Sequence, residues 1–431
     1  MRCINENQCV LNDNIAGVEM WRSFTRGCGI IAAMEQGQGQ GAPGAGSVLS
    51  NFAQFRQRVT QWSDHFIRLP VAGLDISDRS IKYMKFAAGR SGAIESFGEK
   101  EIDEGIIVEG RIERPVDFAA ALRDLSSLLG RRFSPMGVVA SLPEEKSFLR
   151  LLQLPNVKPD EVAGALRWQI EGQIPLPAED LAYDYEIIVP FTGAVQTDAG
   201  GVRTSAGHPE HLDVVITAYP KSVVDSYVRA IIHAGFQPMA LELESQAIAR
   251  AVLGVERTPD ATAVVDIGRN RTTIAVCAAG SVIFTATLPI GGYMMEQEIM
   301  KATGADAADA IRLKKEHGFI KGAYEGKIFS ALLPVIDPIA AEIIRTMAYY
   351  EDHISHIHGG NPGIGRVLLC GGDANLLGMD TYLSSRIRIP VAMADPFYGM
   401  AGALPYLIPE IPRHQALAFA AAIGLASRIG A

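Results

Sequence analysis

What this chain has little of narrows the reading first. Nowhere in its 431 residues does an apolar run reach the roughly 18 to 20 positions needed to cross a bilayer. The longest candidate, Ala416 to Ile429, is short and rich in small residues. No apolar core follows Met1-Arg2, because Asn5, Glu6, Asn7 and Gln8 stand where a secretory signal would be hydrophobic. Cysteine is scarce, five in all and without repeated spacing, which excludes a disulfide scaffold and fits a reducing compartment. A basic excess is missing as well: the net charge is −9, against a general nucleic-acid binder. There is no serine elbow and no HExxH zinc pattern. His353, His356 and His358 do not share one helical face, and no Cys or carboxylate set completes a tetrahedral site with them. The expected compartment is the cytoplasm.

What is there is a globular composition, 48% apolar and 20% charged, long enough for two to four subdomains. One turn chemistry is written twice. Leu74-Asp75-Ile76-Ser77-Asp78-Arg79-Ser80-Ile81-Lys82 closes one apolar run and opens another, and Val265-Asp266-Ile267-Gly268-Arg269-Asn270-Arg271-Thr272-Thr273 does the same. Each predicts a strand, a tight turn led by Asp, and a returning strand. A third segment, Val367 to Leu376, predicts a buried strand that breaks at Gly371-Gly372 and enters a helix.

The pattern predicts an α/β protein. Strands are expected over Val71–Ile76, Ser80–Phe86, Val138–Leu142, Phe148–Leu154, Tyr183–Val189, Leu212–Tyr219, Phe236–Leu241, Ala263–Ile267, Thr273–Ala278, Val282–Leu288 and Arg366–Cys370. Helices are expected over Pro115–Leu129, Lys158–Gln173, Ser222–Ala234, roughly Ile328–Ile357, and His414–Ala426. Residues 1–50 read as a linker-like or disordered extension, with the low-complexity run GQGQGAPGAG at 37–46. Residues 51–96 hold an amphipathic helix over Phe52 to Ile67, with Arg56, Arg58 and Arg68 among its apolar positions, and then the first hairpin. That helix reads as packed on the first lobe or lying at a lipid interface. Residues 97–240 read as an inserted α/β block with a polar loop at Thr192–Glu210, 241–410 as a second lobe, and 411–431 as a helix returning to the first lobe.

A tight turn between strands aims several backbone N–H groups at one point, which suits a phosphate. An Asp just before such a turn can hold Mg²⁺ through water, because Mg²⁺ keeps much of its hydration shell. Asp75 and Asp266 are placed for that; Lys82 is placed to reach the same phosphates, and Ser77, Ser80 and Thr272 add hydroxyls. Gly371 and Gly372 would let backbone come close to a nucleoside. A single Asp at a hairpin is usually a turn residue and nothing more. The weight lies in two copies, in order, with the Gly pair behind a third strand.

Those residues resemble the phosphate-1 hairpin, phosphate-2 hairpin and adenosine turn of the actin-like ATPase superfamily. Within it the chain most resembles the PilM family of type IV pilus assembly proteins, and more distantly FtsA. The specific segments are Ala140 to Phe148, Trp168 to Pro177 and Leu181 to Tyr185, which look like the inserted PilM subdomain, and Ala420 to Ala426, which matches the closing helix. The resemblance implies a two-lobed fold with an inserted subdomain and ATP or ADP with Mg²⁺ between the lobes. The implied nucleotide-binding residues are Asp75, Ser77, Ser80, Lys82, Asp266, Gly268, Arg269, Thr272, Gly371 and Gly372. It also implies a partner in the cytoplasmic tail of a PilN-like inner-membrane protein, a place in the pilus assembly machinery peripheral to the inner membrane, and room for self-association. An FtsA-like filament or division protein is the alternative; that family usually adds a membrane tail after the fold, and this chain stops just past the closing helix. Three departures imply slow or absent turnover: Ser77 where the family has Gly, Arg269 and Arg271 beside Gly268, and Asp373 where a small residue is usual. No residue declares itself as the water-positioning group, and Glu244 and Gln246 are candidates by position alone.

Overall fold

A computed structural model describes residues 71–87, 93–128, 136–155, 161–188, 211–254, 260–354, 363–400 and 411–428. The 1–50 extension, the helix expected over Phe52 to Ile67, the loop at 192–210, and His356 and His358 lie outside them.

The chain opens with β1 (Val71–Ile76), β2 (Ser80–Phe86) and β3 (Ile94–Glu101), an antiparallel meander. A small hairpin, β4 (Ile107–Val108) and β5 (Arg111–Ile112), leads to α1 (Pro115–Leu128), which starts on a proline whose missing N–H costs nothing in a first turn. Then β6 (Met136–Leu142) runs parallel beside β1. The chain leaves this sheet through β7 (Phe148–Pro155), α2 (Val162–Gln173), β8 (Leu181–Ile187) and β9 (His211–Pro220). It comes back through α3 (Lys221–His233) to β10 (Phe236–Leu243), parallel to β6.

After α4 (Glu244–Leu253) the same plan repeats. The meander is β11 (Ala261–Ile267), β12 (Thr272–Ala278) and β13 (Ser281–Leu288). Helices α5 (Gly292–Thr303), α6 (Ala307–His317) and α7 (Lys327–His353) follow. Strand β14 (Ile364–Cys370) lies parallel beside β11, α8 (Met379–Ile387) crosses over, and β15 (Val391–Met393) lies parallel beside β14. The two sheets, β10-β6-β1-β2-β3 and β15-β14-β11-β12-β13, therefore have one topology. Each puts its Asp-led hairpin next to a parallel strand, so the turns of both lobes stand at the same edge. This is the actin-like two-lobed fold.

The separate sheet, β7-β9-β8, is smaller than the expected block at 97–240. Strands β3, β6 and β10 pair into the first lobe, because their apolar faces complete its core. We place the insert at Phe148 to Pro220. Its own core holds Leu154, Leu166, Ile170 and Ile216. The four-residue spacing of Val162, Leu166 and Ile170 gives α2 one buried stripe, and Pro175 and Pro177 stop it.

The expected closing helix is broken into α9 (Arg413–Ala416), a tight turn at Leu417–Phe419, and α10 (Ala420–Ser427). Its small residues serve close approach: a Cβ on Gly73 of β1 would stand 2.3 Å from the Ala422 carbonyl, and one on Gly424 would stand 1.8 Å from the Ala247 carbonyl of α4. The sequence predicts a helix straight after Gly371-Gly372, but α8 begins only at Met379. Gly371 is instead folded against the end of β11, with φ +93° and its absent Cβ 2.4 Å from the Ile267 carbonyl.

Candidate functional site

The two hairpins close alike. Ser77 N donates to Ser80 O and Gly268 N to Arg271 O, each at 2.9 Å. Register puts Lys82 opposite Asp75, and Thr273 opposite Asp266. Neither Ser77 nor Gly268 uses left-handed backbone, so Ser77 in place of glycine does not strain the turn. What serine adds is a side chain that donates to Ser80 O at 3.0 Å and accepts from Ser80 N at 3.2 Å, so its hydroxyl serves the turn.

Behind the turns lies a knot of buried carboxylates. Asp75 accepts from the Ser141 hydroxyl at 3.4 Å and lies 3.9 Å from Lys82 Nζ. Burial pushes the Asp75 carboxyl up, and Lys82 pulls it partway back. Asp266 is pushed to about 6 by burial and then by Asp75. Glu244, at the first residue of α4, goes well above its ordinary value through burial and then through Asp75, Asp266 and Glu144. Glu144 is pushed to about 7, mainly by burial, although Ser245 donates to it through N at 3.3 Å and Oγ at 3.2 Å. Burial lowers Lys82, yet Asp75, Glu99, Glu244 and Asp266 together hold it above its usual range. Glu144, Glu244, Ser245, Asp266 and Thr273 line a cavity of about 10 Å³, the room of one water.

This donor set fits a hydrated divalent cation carrying phosphate. Several buried carboxylates share one lysine, and a cation among them would restore the charge balance. Among the described residues no group of three or more His, Cys, Asp or Glu comes close enough to hold a metal directly. Contact through water is what these positions offer.

Other expected residues have different partners. Thr272 donates its hydroxyl to Ile290 O at 2.7 Å and is fully buried, so it is not a free phosphate donor. Arg269 lies over the Tyr293 ring and pairs with Glu296 at 3.1 Å. Glu296 also accepts from Lys314 at 2.7 Å, and Lys314 reaches Asp373 at 2.6 Å. The end of the cleft at Gly371-Gly372 is thus crossed by a four-charge network, Arg269–Glu296–Lys314–Asp373. Gly372 stands clear beside it, its nearest neighbour for a Cβ being the Ala418 methyl at 3.6 Å. Sequence reading gave no role to Glu144, Glu145, Glu296 or Lys314. Their partners lie far off in the chain, and no local spacing marks them.

On the insert, Ile170 is in the core but Trp168 is 83% exposed. With no apolar residue at positions 164 or 172 to extend a stripe, position 168 faces outward. A groove of about 430 Å³ lies at the end of α2, lined by Glu171, Ile174, Pro175, Leu176, Pro177 and Glu179. Among the described residues no helix is long and apolar enough to cross a membrane.

Comparison with known proteins agrees with this architecture. The family model described as type IV pilus assembly protein PilM matches residues 73–429. A solved PilM–PilN type IV pilus biogenesis complex contains a chain that superposes with a TM-score of 0.65 at 20% identity, covering 84% of this chain and 99% of that one. Cell division protein FtsA of Bacillus subtilis is 25% identical over 202 residues, 41% of this chain and 43% of FtsA. FtsA of Escherichia coli is 24% identical over 234 residues, 52% of each chain. The chain spans about half the length of the curated relatives it matches.

Proposed function

The chain belongs to the PilM family of type IV pilus assembly proteins, and from that premise we propose that it is a nucleotide-binding adaptor of the pilus machinery. ATP or ADP with Mg²⁺ is held between the hairpins, and the cytoplasmic tail of a PilN-like inner-membrane protein is held by the insert. The observation that carries the nucleotide reading is the charge imbalance behind the twin turns, where Asp75, Asp266 and Glu244 are buried around Lys82 and Glu144 adds a further buried carboxyl next to Glu244. When bound, Mg²⁺ supplies the missing positive charge and the phosphates supply acceptors for the turn amides. Asp75 and Asp266 orient the hydrated ion; Lys82 answers the phosphate charge; Gly372 leaves room for the nucleoside.

The partner reading rests on the groove at the end of α2, the helix that carries the exposed Trp168. Its apolar wall of Ile174, Pro175 and Leu176 suits an extended apolar peptide, and Glu171 and Glu179 suit basic residues beside it. Cytoplasmic tails next to a membrane span carry such charge. The family match runs over nearly the whole fold, whereas the division relatives match only part of it, so the pilus reading is preferred to the filament one.

Titration calorimetry with Mg-ATP and Mg-ADP tests the site. Binding by the wild type, weakened at least tenfold in Asp266→Asn, supports it. Equal heats from both proteins, or none at millimolar nucleotide, refute it. A PilN-like tail peptide titrated into the same protein tests the partner.

A further inference from the structure

Arg271 makes a cross-lobe contact beside this site. It ends the second hairpin turn, yet its guanidinium reaches into the other lobe. It lies 2.7 Å from Asp78, in the first hairpin turn, and it also pairs with Glu145. Asp78 is held from behind by Gly110 N at 3.0 Å, and Gly110 O accepts from Tyr227 of α3 at 3.1 Å. Glu145 has no such support. Its Oε1 is buried without a hydrogen-bond partner, so Arg271 is the cation that makes its position tolerable. Glu145 lies in the single turn Glu144–Lys146, which leads from β6 of the first lobe straight into β7 of the insert.

Arginine binds carboxylate and phosphate through the same two-pronged geometry, so the two compete for one guanidinium. A terminal phosphate between two turns that Arg271 already spans would be that competitor. A diphosphate lacks the group.

Resting on the reading of this cleft as a nucleotide site, we propose that Arg271 distinguishes triphosphate from diphosphate by exchanging Glu145 and Asp78 for the terminal phosphate, and that the release of Glu145 frees the connector into the insert. The residue sets phosphate-chain specificity and passes that information to the surface proposed to take the partner.

Two readouts on the full chain test it: affinity for Mg-ADP and for a non-hydrolysable Mg-ATP analogue, and hydrogen exchange of peptides covering 143–155. In the wild type the analogue is expected to raise exchange at 143–148 at least threefold, and ADP to leave it unchanged. Glu145→Gln, which weakens the competitor and keeps the shape, is expected to tighten the analogue three- to tenfold and not ADP. Arg271→Gln is expected to remove the preference between the two nucleotides and to leave exchange high in every state. Thermal melts of both variants show that they are folded, and if Arg271→Gln is not, Glu145→Gln alone decides. If both nucleotides bind and Glu145→Gln binds the analogue as the wild type does, with exchange at 143–148 indifferent to it, this inference is overturned and the site reading stands. If no protein binds either nucleotide, the site reading falls, and this inference with it.

Discussion

Asp75 and Asp266 occupy the same register position in two hairpins of the same topology, but they face different partners. Asp75 has Lys82 across the strand pair, and Asp266 has Thr273. The first carboxylate therefore has a cation across its own strand pair, while the second has a hydroxyl there and feels Lys82 and Arg271 only from a distance.

That asymmetry sets a pH dependence. Asp266 is pushed to about 6 in the ligand-free protein, and a bound cation favours its ionised form. Below pH 6 the cation must displace a proton, so Mg-nucleotide affinity is expected to fall as pH drops from 7 to 5, with proton release on binding. Calorimetry in two buffers of different ionisation enthalpy measures the protons. In Asp266→Asn the release near pH 6 should vanish; an unchanged release would assign it elsewhere.

Glu144 gives a stability prediction of definite sign. Burial pushes its carboxyl up to about 7, well above the ordinary carboxylate range. The folded state thus holds a proton that the unfolded state has lost, and stability falls as pH rises through that window. Glu144→Gln is expected to stabilise the ligand-free protein at pH 8 by on the order of 1–3 kcal/mol and to change little at pH 4. Urea unfolding at the two pH values reads the difference; equal effects at both would contradict it.

Ser77→Gly is expected to leave nucleotide affinity within about threefold, because neither hairpin turn uses left-handed backbone. The substitution removes the two hydrogen bonds between the Ser77 side chain and Ser80, so a loss of about 0.5–1.5 kcal/mol in stability should accompany it. A tenfold gain in affinity or turnover would restore the sequence-based expectation that serine impairs this turn.

Trp168→Ala should leave the melting curve within about 0.5 kcal/mol of wild type, since the ring is 83% exposed. Fluorescence titration with the tail peptide should show binding lost. Intact binding would move the partner away from this face of α2.

Two glycines should respond oppositely. Gly424→Ala places a methyl 1.8 Å from the Ala247 carbonyl and is expected to cost about 3 kcal/mol or more. Gly164 of α2 has nothing within 4 Å of a Cβ, so Gly164→Ala should stabilise the insert by about 0.5–1 kcal/mol. Chemical denaturation of both measures the contrast, and a stable Gly424→Ala would mean that α10 does not pack on α4 as described.

Much of the fold was legible in the chain itself. The first two strands have the bounds that alternation and turn residues predicted, Val71–Ile76 and Ser80–Phe86. Strand periodicity, the Pro115 start of α1 and the proline stop after α2 are local signals, set by steric limits on a few adjacent residues. The twin Asp-led turns were visible for the same reason. Tertiary structure alone decided the rest. Whether β3, β6 and β10 belong to the insert or to the first lobe depends on which sheet edge completes its hydrogen bonds, and no local pattern states that. Whether Thr272 faces a phosphate or Ile290, and whether Trp168 is core or surface, depends on what packs against one side of an element. The charge balance of the site is the clearest case. Glu144, Glu244 and Asp266 are ordinary acids in sequence, and only burial together in one low-dielectric space raises their affinity for protons and for a cation.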